Sequence, residues 1–144
     1  MDRKLFINQC GKLCIAAFLP SMLLSACATP GFVKGELQDN KLVIPIDSFQ
    51  FIDKGKAKQR EYIITYHNEL NFPILVTNLP NYKAFLMQCS HQGAELQMHG
   101  DILVCPAHGS EFDTQGTVIE GPATLPLRTF EVKLVGTNLN IILL

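Results

Sequence analysis

The chain has 144 residues, 47% of them hydrophobic and 17% charged, which is enough apolar material for one globular domain and too much for a disordered chain. Its 12 lysines and arginines nearly balance its 13 aspartates and glutamates, giving a net charge of −1, and no contiguous block of like charge stands out. That balance gives no reason to expect nucleic acid or an anionic membrane surface as a partner.

In chain order, the first element is a targeting segment over residues 1–26. Arg3, Lys4 and Lys12 form a basic start, and a moderately apolar core from Leu13 to Leu24 follows, interrupted by Pro20. This is the layout of a secretory signal; a spanning helix needs about 20 apolar residues. Leu24-Ser25-Ala26-Cys27 resembles the bacterial lipoprotein box, which implies cleavage before Cys27 and lipidation of its thiol. Ordinary secretory cleavage near Ala26 or Ala28 is the alternative. Asp2-Arg3-Lys4-Leu5-Phe6-Ile7 resembles the twin-arginine export motif with lysine as its second basic residue, a route that carries folded proteins. Cys10 and Cys14 fall in the part to be removed and take no role. Residues 27–36, with Pro30, Gly31 and Gly35, read as a tether.

From residue 37 to 144 the pattern is all-β. Residues 41–46, 61–66, 74–77, 83–87, 101–105, 129–135 and 138–144 are short apolar or alternating runs rich in Ile, Val, Phe and Tyr, and read as strands. Turn residues separate them: Asn68, Asn71-Phe72-Pro73, Asn78-Leu79-Pro80-Asn81 and His99-Gly100-Asp101. The last two runs, joined at Val135-Gly136-Thr137-Asn138, form the best hairpin candidate, with Phe130, Val132, Leu134, Leu139 and Ile141 expected on one core-facing side. No long segment keeps a helical period.

The chemistry sits in two clusters, Cys89-Ser90-His91 and Cys105-Pro106-Ala107-His108-Gly109-Ser110. Each offers one thiolate and one imidazole, so together they read as a four-ligand metal site. A two-iron, two-sulfur cluster suits this order, and a structural zinc ion also accepts two cysteines and two histidines, although zinc modules usually pair like with like. A catalytic cysteine is the poorer reading, because no third orienting residue is evident and the duplicate pair would be unexplained. His67 and His99 have no matching partner and read as turn or surface residues; Met87 and Met98 read as packing.

The stretch Cys89-Ser90-His91-Gln92-Gly93, Cys105 to Asp113, Gly116 and Gly121-Pro122-Ala123 resembles the Rieske iron-sulfur family. The resemblance implies an all-β, Rieske-type fold of small antiparallel sheets with an inserted cluster-binding loop subdomain over about 86–125. It implies one [2Fe-2S] cluster, with Cys89 and Cys105 on a buried iron and His91 and His108 on an outer one. Ser110 would donate a hydrogen bond to a bridging sulfide, and Gly109 and Pro122 would line the site. The chain departs from the respiratory branch at four positions. Ala94 and Ala107 stand where a bracing disulfide is usual, Gln92 where leucine is usual, and Phe112 where tyrosine is frequent. The expected function is one-electron transfer by an exported, membrane-tethered lipoprotein, as a carrier or as the iron-sulfur subunit of a respiratory or oxidoreductase complex. Its expected partners are redox proteins: a cytochrome, a quinol-oxidising subunit or an oxidase subunit. Three alternatives remain open: a quinol:cytochrome oxidoreductase subunit, a ferredoxin for a ring-hydroxylating dioxygenase, and a non-redox metal lipoprotein.

Overall fold

The computed structural model describes residues 31–78 and 80–144; the signal segment, Cys10, Cys14 and Cys27 lie outside the described residues. In chain order the strands are Gly31–Lys34 (β1), Glu36–Gln38 (β2), Lys41–Pro45 (β3), Gln50–Asp53 (β4), Lys56–Gln59 (β5), Tyr62–Tyr66 (β6), Ile74–Thr77 (β7), Lys83–Leu86 (β8), Gln97–His99 (β9), Ile102–Val104 (β10), Glu111–Asp113 (β11), Val118–Glu120 (β12), Thr129–Val135 (β13) and Asn138–Ile142 (β14). A single 3-10 turn, Ile46–Phe49, precedes β4. Every run read as a strand is one, and the fold is all-β as expected. Among the described residues no helix is long and apolar enough to cross a membrane.

Eight strands form one nearly closed sheet in the order β1-β6-β7-β8-β13-β14-β3-β2. Its middle, β6-β7-β8, is a wall buried on both faces. Ile64, Leu75 and Phe85, cross-strand neighbours on one face, pack with Met87, Leu96, Leu103, Phe112 and both Cys89 and Cys105. Ile63, Val76 and Ala84, neighbours on the other, pack with Leu42, Ile44, Phe49, Leu139 and Ile141. Burial on both sides explains why Ile74-Leu75-Val76-Thr77 is continuously buried where a half-buried strand would alternate.

The functional loops are an insertion into this sheet. β8 and β13 are antiparallel neighbours, with Phe85 opposite Thr129 and Ala84 opposite Phe130. Everything between them leaves and returns at adjacent strands. Within it, β12-β11-β10-β9 form a separate four-stranded antiparallel sheet. Leu103 and Phe112, opposite each other on β10 and β11, turn inward onto the core face of the wall.

Two details differ from the sequence reading. Residues 31–34, expected in a tether, form β1 and run parallel to β6, because the edge of β6 offers unpaired backbone groups that a short extended segment satisfies. Leu134, expected in the core, is 56% exposed, whereas Leu139 and Ile141 are fully buried. The reason is that β13 pairs with β8 only at Thr129 and Phe130, so its far end outruns the sheet that would cover it.

Gly116 shows how tightly the insertion is seated on the wall. Its φ is +77°, and a Cβ there would lie 2.6 Å from Cδ1 of the buried Phe85 ring. Its carbonyl accepts the Leu127 amide, and its amide donates to the Asp113 carbonyl, while the Asp113 carboxylate accepts the Gln115 and Thr117 amides. Gly116→Ala adds a left-handed backbone penalty to an overpacked ring contact. It should cost about 2–4 kcal/mol in denaturant unfolding, well above an ordinary surface substitution.

Candidate metal centre

The two loops that carry the cysteines and histidines are built alike. Loop one is closed by the bridge between Gln88 and Glu95, and loop two by the pair Val104 and Glu111. In the first, the Cys89 amide donates to the Ala94 carbonyl and the Gly93 amide to the Cys89 carbonyl, at 2.8 and 2.9 Å. In the second, the Cys105 amide donates to Ser110 and the Gly109 amide to Cys105, again at 2.8 and 2.9 Å. Gly93 and Gly109 hold the same place in each, with φ of +78° and +76°, a left-handed turn that a side chain would resist. The histidines break the equivalence by one position, His91 third in its loop and His108 fourth.

This geometry sorts the four side chains by depth. Cys89 and Cys105 are 3% and 2% exposed, and both are free thiols in the core cluster beneath the loops. His91 and His108 are exposed, with ring centroids 5.1 Å apart and nearly perpendicular planes. Burial pushes the Cys105 thiol up, but hydrogen bonds from the Ala107 and His108 amides and from the Cys89 thiol outweigh it and hold the group below the ordinary thiol value. Those donors are placed to stabilise a thiolate.

A third loop covers the pair. Ser90 Oγ donates to the Leu125 carbonyl at 2.6 Å, and Ser110 Oγ, fully buried, accepts the Ala123 amide at 3.0 Å. Each metal-site loop is thus pinned to residues 121–125, where the Gly121-Pro122 peptide is cis, Pro122 is exposed and Ala123 is buried. Phe112 lies fully buried beneath. Ala94 is partly buried and Ala107 exposed, so the covalent brace of the respiratory branch has no counterpart here. From Ala84 to Leu127 the chain carries Glu95, Asp101, Glu111, Asp113 and Glu120 and no lysine or arginine, and Glu111 stands opposite Glu120 across β11 and β12.

The model of the Rieske [2Fe-2S] domain matches residues 48–131. The chain belongs to the Rieske [2Fe-2S] domain family. A Rieske domain transfers electrons through one [2Fe-2S] cluster per chain. The chain is similar to the cytochrome b6-f complex iron-sulfur subunit of Chlorobaculum tepidum, 35% identical over 48 residues, which are 32% of this chain and 26% of that one. It is also similar to the cytochrome b6-f complex iron-sulfur subunit 1 of Synechocystis sp., 39% identical over 49 residues, 33% of this chain and 28% of the relative. It thus spans about a quarter of the length of these curated relatives. Among solved structures, the cyanobacterial plasma membrane Rieske protein from Synechocystis PCC 6803 is 28% identical, with a TM-score of 0.47 over 56% of this chain and 85% of that one.

The residues present fit a Rieske cluster. A [2Fe-2S] group asks each iron for two protein ligands, and the loops offer a buried pair of thiols with backbone donors beside them and an exposed pair of imidazoles. His67 lies apart, its Nδ1 accepting the Glu69 amide, and His99 is exposed at the end of β9.

The sequence reading missed the Ser90 contact. Its partner is 35 positions away and is a backbone carbonyl, so no local pattern points to it. Ser90→Ala removes this link between the first Rieske loop and its cover. It should lower unfolding stability by about 0.5–1.5 kcal/mol and speed loss of the visible cluster absorbance in denaturant, whereas Ser90→Thr, which keeps the hydroxyl donor, should retain most of the stability.

Proposed function

We propose that this chain is an exported one-electron carrier, or the iron-sulfur subunit of a membrane oxidoreductase, held to the membrane by lipid on Cys27 and facing the periplasm or the cell exterior. The observation that carries the redox part is the matched pair of loops, with thiols buried and imidazoles at the surface. In this reading Cys89 and Cys105 hold the inner iron and His91 and His108 the outer one. When bound, a [2Fe-2S] cluster accepts and releases a single electron.

The chain's own groups set how readily that happens. Buried thiolates with amide donors keep the negative charge inside, while the two imidazoles bring no charge and raise the potential above that of an all-cysteine site. Both imidazoles stand at the surface, so each would present its second ring nitrogen to solvent or to a partner if the other nitrogen held iron. Ser110 Oγ accepts the Ala123 amide, which leaves its own proton unused, and with a cluster bound the hydroxyl would be placed to donate to it. That donation favours the more negative, reduced state.

The names of the curated relatives, both iron-sulfur subunits of cytochrome b6-f complexes, favour membership in a quinol-oxidising complex as the second reading. Ala94, Ala107 and Gln92 weigh against it, since they replace the brace and the docking-tip leucine of that branch. The export signal weighs against a dioxygenase ferredoxin.

Purified protein should contain two irons and two acid-labile sulfides per chain and give a rhombic Rieske-type EPR signal on reduction, and His91→Ala or Cys105→Ala should abolish it. Stoichiometric zinc after both aerobic and anaerobic purification would overturn the assignment. With Phe112 in place of tyrosine and no brace between the loops, protein-film voltammetry should give a potential below the upper end of the Rieske range of about −150 to +300 mV. Ser110→Ala should lower it further, on the order of 60–120 mV, the equivalent of one hydrogen bond to a charged group in a one-electron couple.

A further inference from the structure

The hairpin β4-β5 is the least packed part of the described domain and the most basic. It forms its own two-stranded sheet, with β5 exposed throughout, and such hairpins are marginal unless something covers them. It carries Lys54, Lys56, Lys58 and Arg60 against Asp53 alone, whereas the rest of residues 31–144 carries five basic side chains against eleven acidic ones. Spacing at every second residue hides this concentration in the linear sequence, where no contiguous run of charge appears.

The register divides the hairpin by face. Gln50 pairs with Gln59 and Ile52 with Ala57 on one side; Phe51 pairs with Lys58 and Asp53 with Lys56 on the other. The first face is uncharged, and Ile52 is 79% exposed, second only to the C-terminal Leu144 among the exposed large hydrophobics. Lys54 and Gly55 form the tip with φ of +50° and +77°, a turn that normally takes Asn-Gly, so a lysine stands at the end of the hairpin in a backbone conformation that disfavours it. On the other face Lys58 pairs with Asp53, and the Arg60 guanidinium lies 4.4 Å from the Phe51 ring centroid. Among the described residues Lys54 and Lys56 have no such partner.

The hairpin's base stands where the chain enters the described domain. A Cβ on Gly31 would lie 2.9 Å from Arg60 Cδ, and Phe32, next in the chain, is 65% exposed. The hairpin follows Phe49, which is buried in the core on the face of the β6-β7-β8 wall opposite the cysteines.

We propose that the β4-β5 hairpin docks on an anionic phospholipid surface, with Ile52 and Ala57 entering the interface and Lys54, Lys56 and Lys58 meeting the headgroups. The register sets an uncharged face that presents Ile52 against a basic face that carries Lys56 and Lys58, the two-sided layout of a segment lying in a membrane interface. The proximity to Gly31 favours a membrane over an acidic protein as the occupant, because residue 27, the proposed anchor, is only four positions upstream. This deepens the membrane-held reading and rests on it for its setting. The hairpin would hold the domain in one orientation, with the acidic cysteine-bearing side turned away from the lipid.

The chain has no tryptophan, so Ile52→Trp gives a single reporter at an exposed site. The full chain carrying it is reconstituted into vesicles of phosphatidylcholine with and without phosphatidylglycerol, using lipids with brominated acyl chains. Docking predicts blue-shifted, bromine-quenched emission only with the anionic lipid. About 1 M salt, where the Debye length falls to about 3 Å, should reverse it. Lys54→Gln, Lys56→Gln and Lys58→Gln together should weaken docking on the order of a hundredfold. Water-exposed emission in anionic vesicles, or quenching equal in both lipids and indifferent to salt, overturns the proposal, as does burial of the reporter by a bound protein alone. Mass analysis of the mature N-terminus reads the anchor separately: a lipidated chain with an undocked reporter refutes the hairpin alone, and a docked reporter on an unlipidated chain supports the hairpin while refuting the anchor.

Discussion

The structure depends on three short strands that cannot be exposed on either face. β6, β7 and β8 carry Ile63 and Ile64, Leu75 and Val76, Ala84 and Phe85 in alternation, so each face needs a cover of its own. The hairpin β13-β14 with β3 covers one, and the insertion between β8 and β13 covers the other. The metal-site loops are therefore part of a core. Cys89 and Cys105 sit in the same cluster as Phe85 and Leu75, and removing either thiol disturbs packing as well as the proposed ligation.

The insertion uses one design twice. A cysteine opens each loop, and a glycine in left-handed backbone turns it back so that its amide caps the cysteine carbonyl. The third loop then reaches both through serines, accepting from Ser90 and donating to Ser110. In place of a disulfide between the loops, two hydrogen bonds, one to each loop, tie them to a common cover. Hydrogen bonds of this kind contribute about 1 kcal/mol each where a disulfide contributes more, so the cover's own seat on the core, through Ala123 and Leu127, matters correspondingly.

What was legible in the sequence was whatever is local or strongly buried. Residues 41–46, 61–66 and 74–77 announce themselves because their burial demands a dense apolar pattern, and 129–135, which is at most half-buried, does so through its alternation of apolar and polar residues. The Cys/His spacing does so because ligation is set within a few residues. β1 was hidden behind Pro30, Gly31 and Gly35, which read as linker; only the open edge of β6 makes that stretch a strand. β9, β11 and β12 are three residues each, too short to carry a period. β4 and β5 were hidden by their lysines and glutamines, residues with little strand preference. Ser90 and Leu125 meet only because the insertion folds back on itself.

The five carboxylates between Ala84 and Leu127, with no lysine or arginine among them, bear on energetics as well as on shape. An electron placed between the two loops adds negative charge to a region that already repels it, with Glu111 and Glu120 facing each other across β11 and β12. Counterions offset that repulsion over a distance of about 8 Å at physiological salt. The driving force for reduction therefore falls as salt is diluted and rises when a cation-bearing surface settles against this face. By thermodynamic linkage the reduced form binds such a surface more tightly than the oxidised form does, so giving up the electron loosens the complex through which it left.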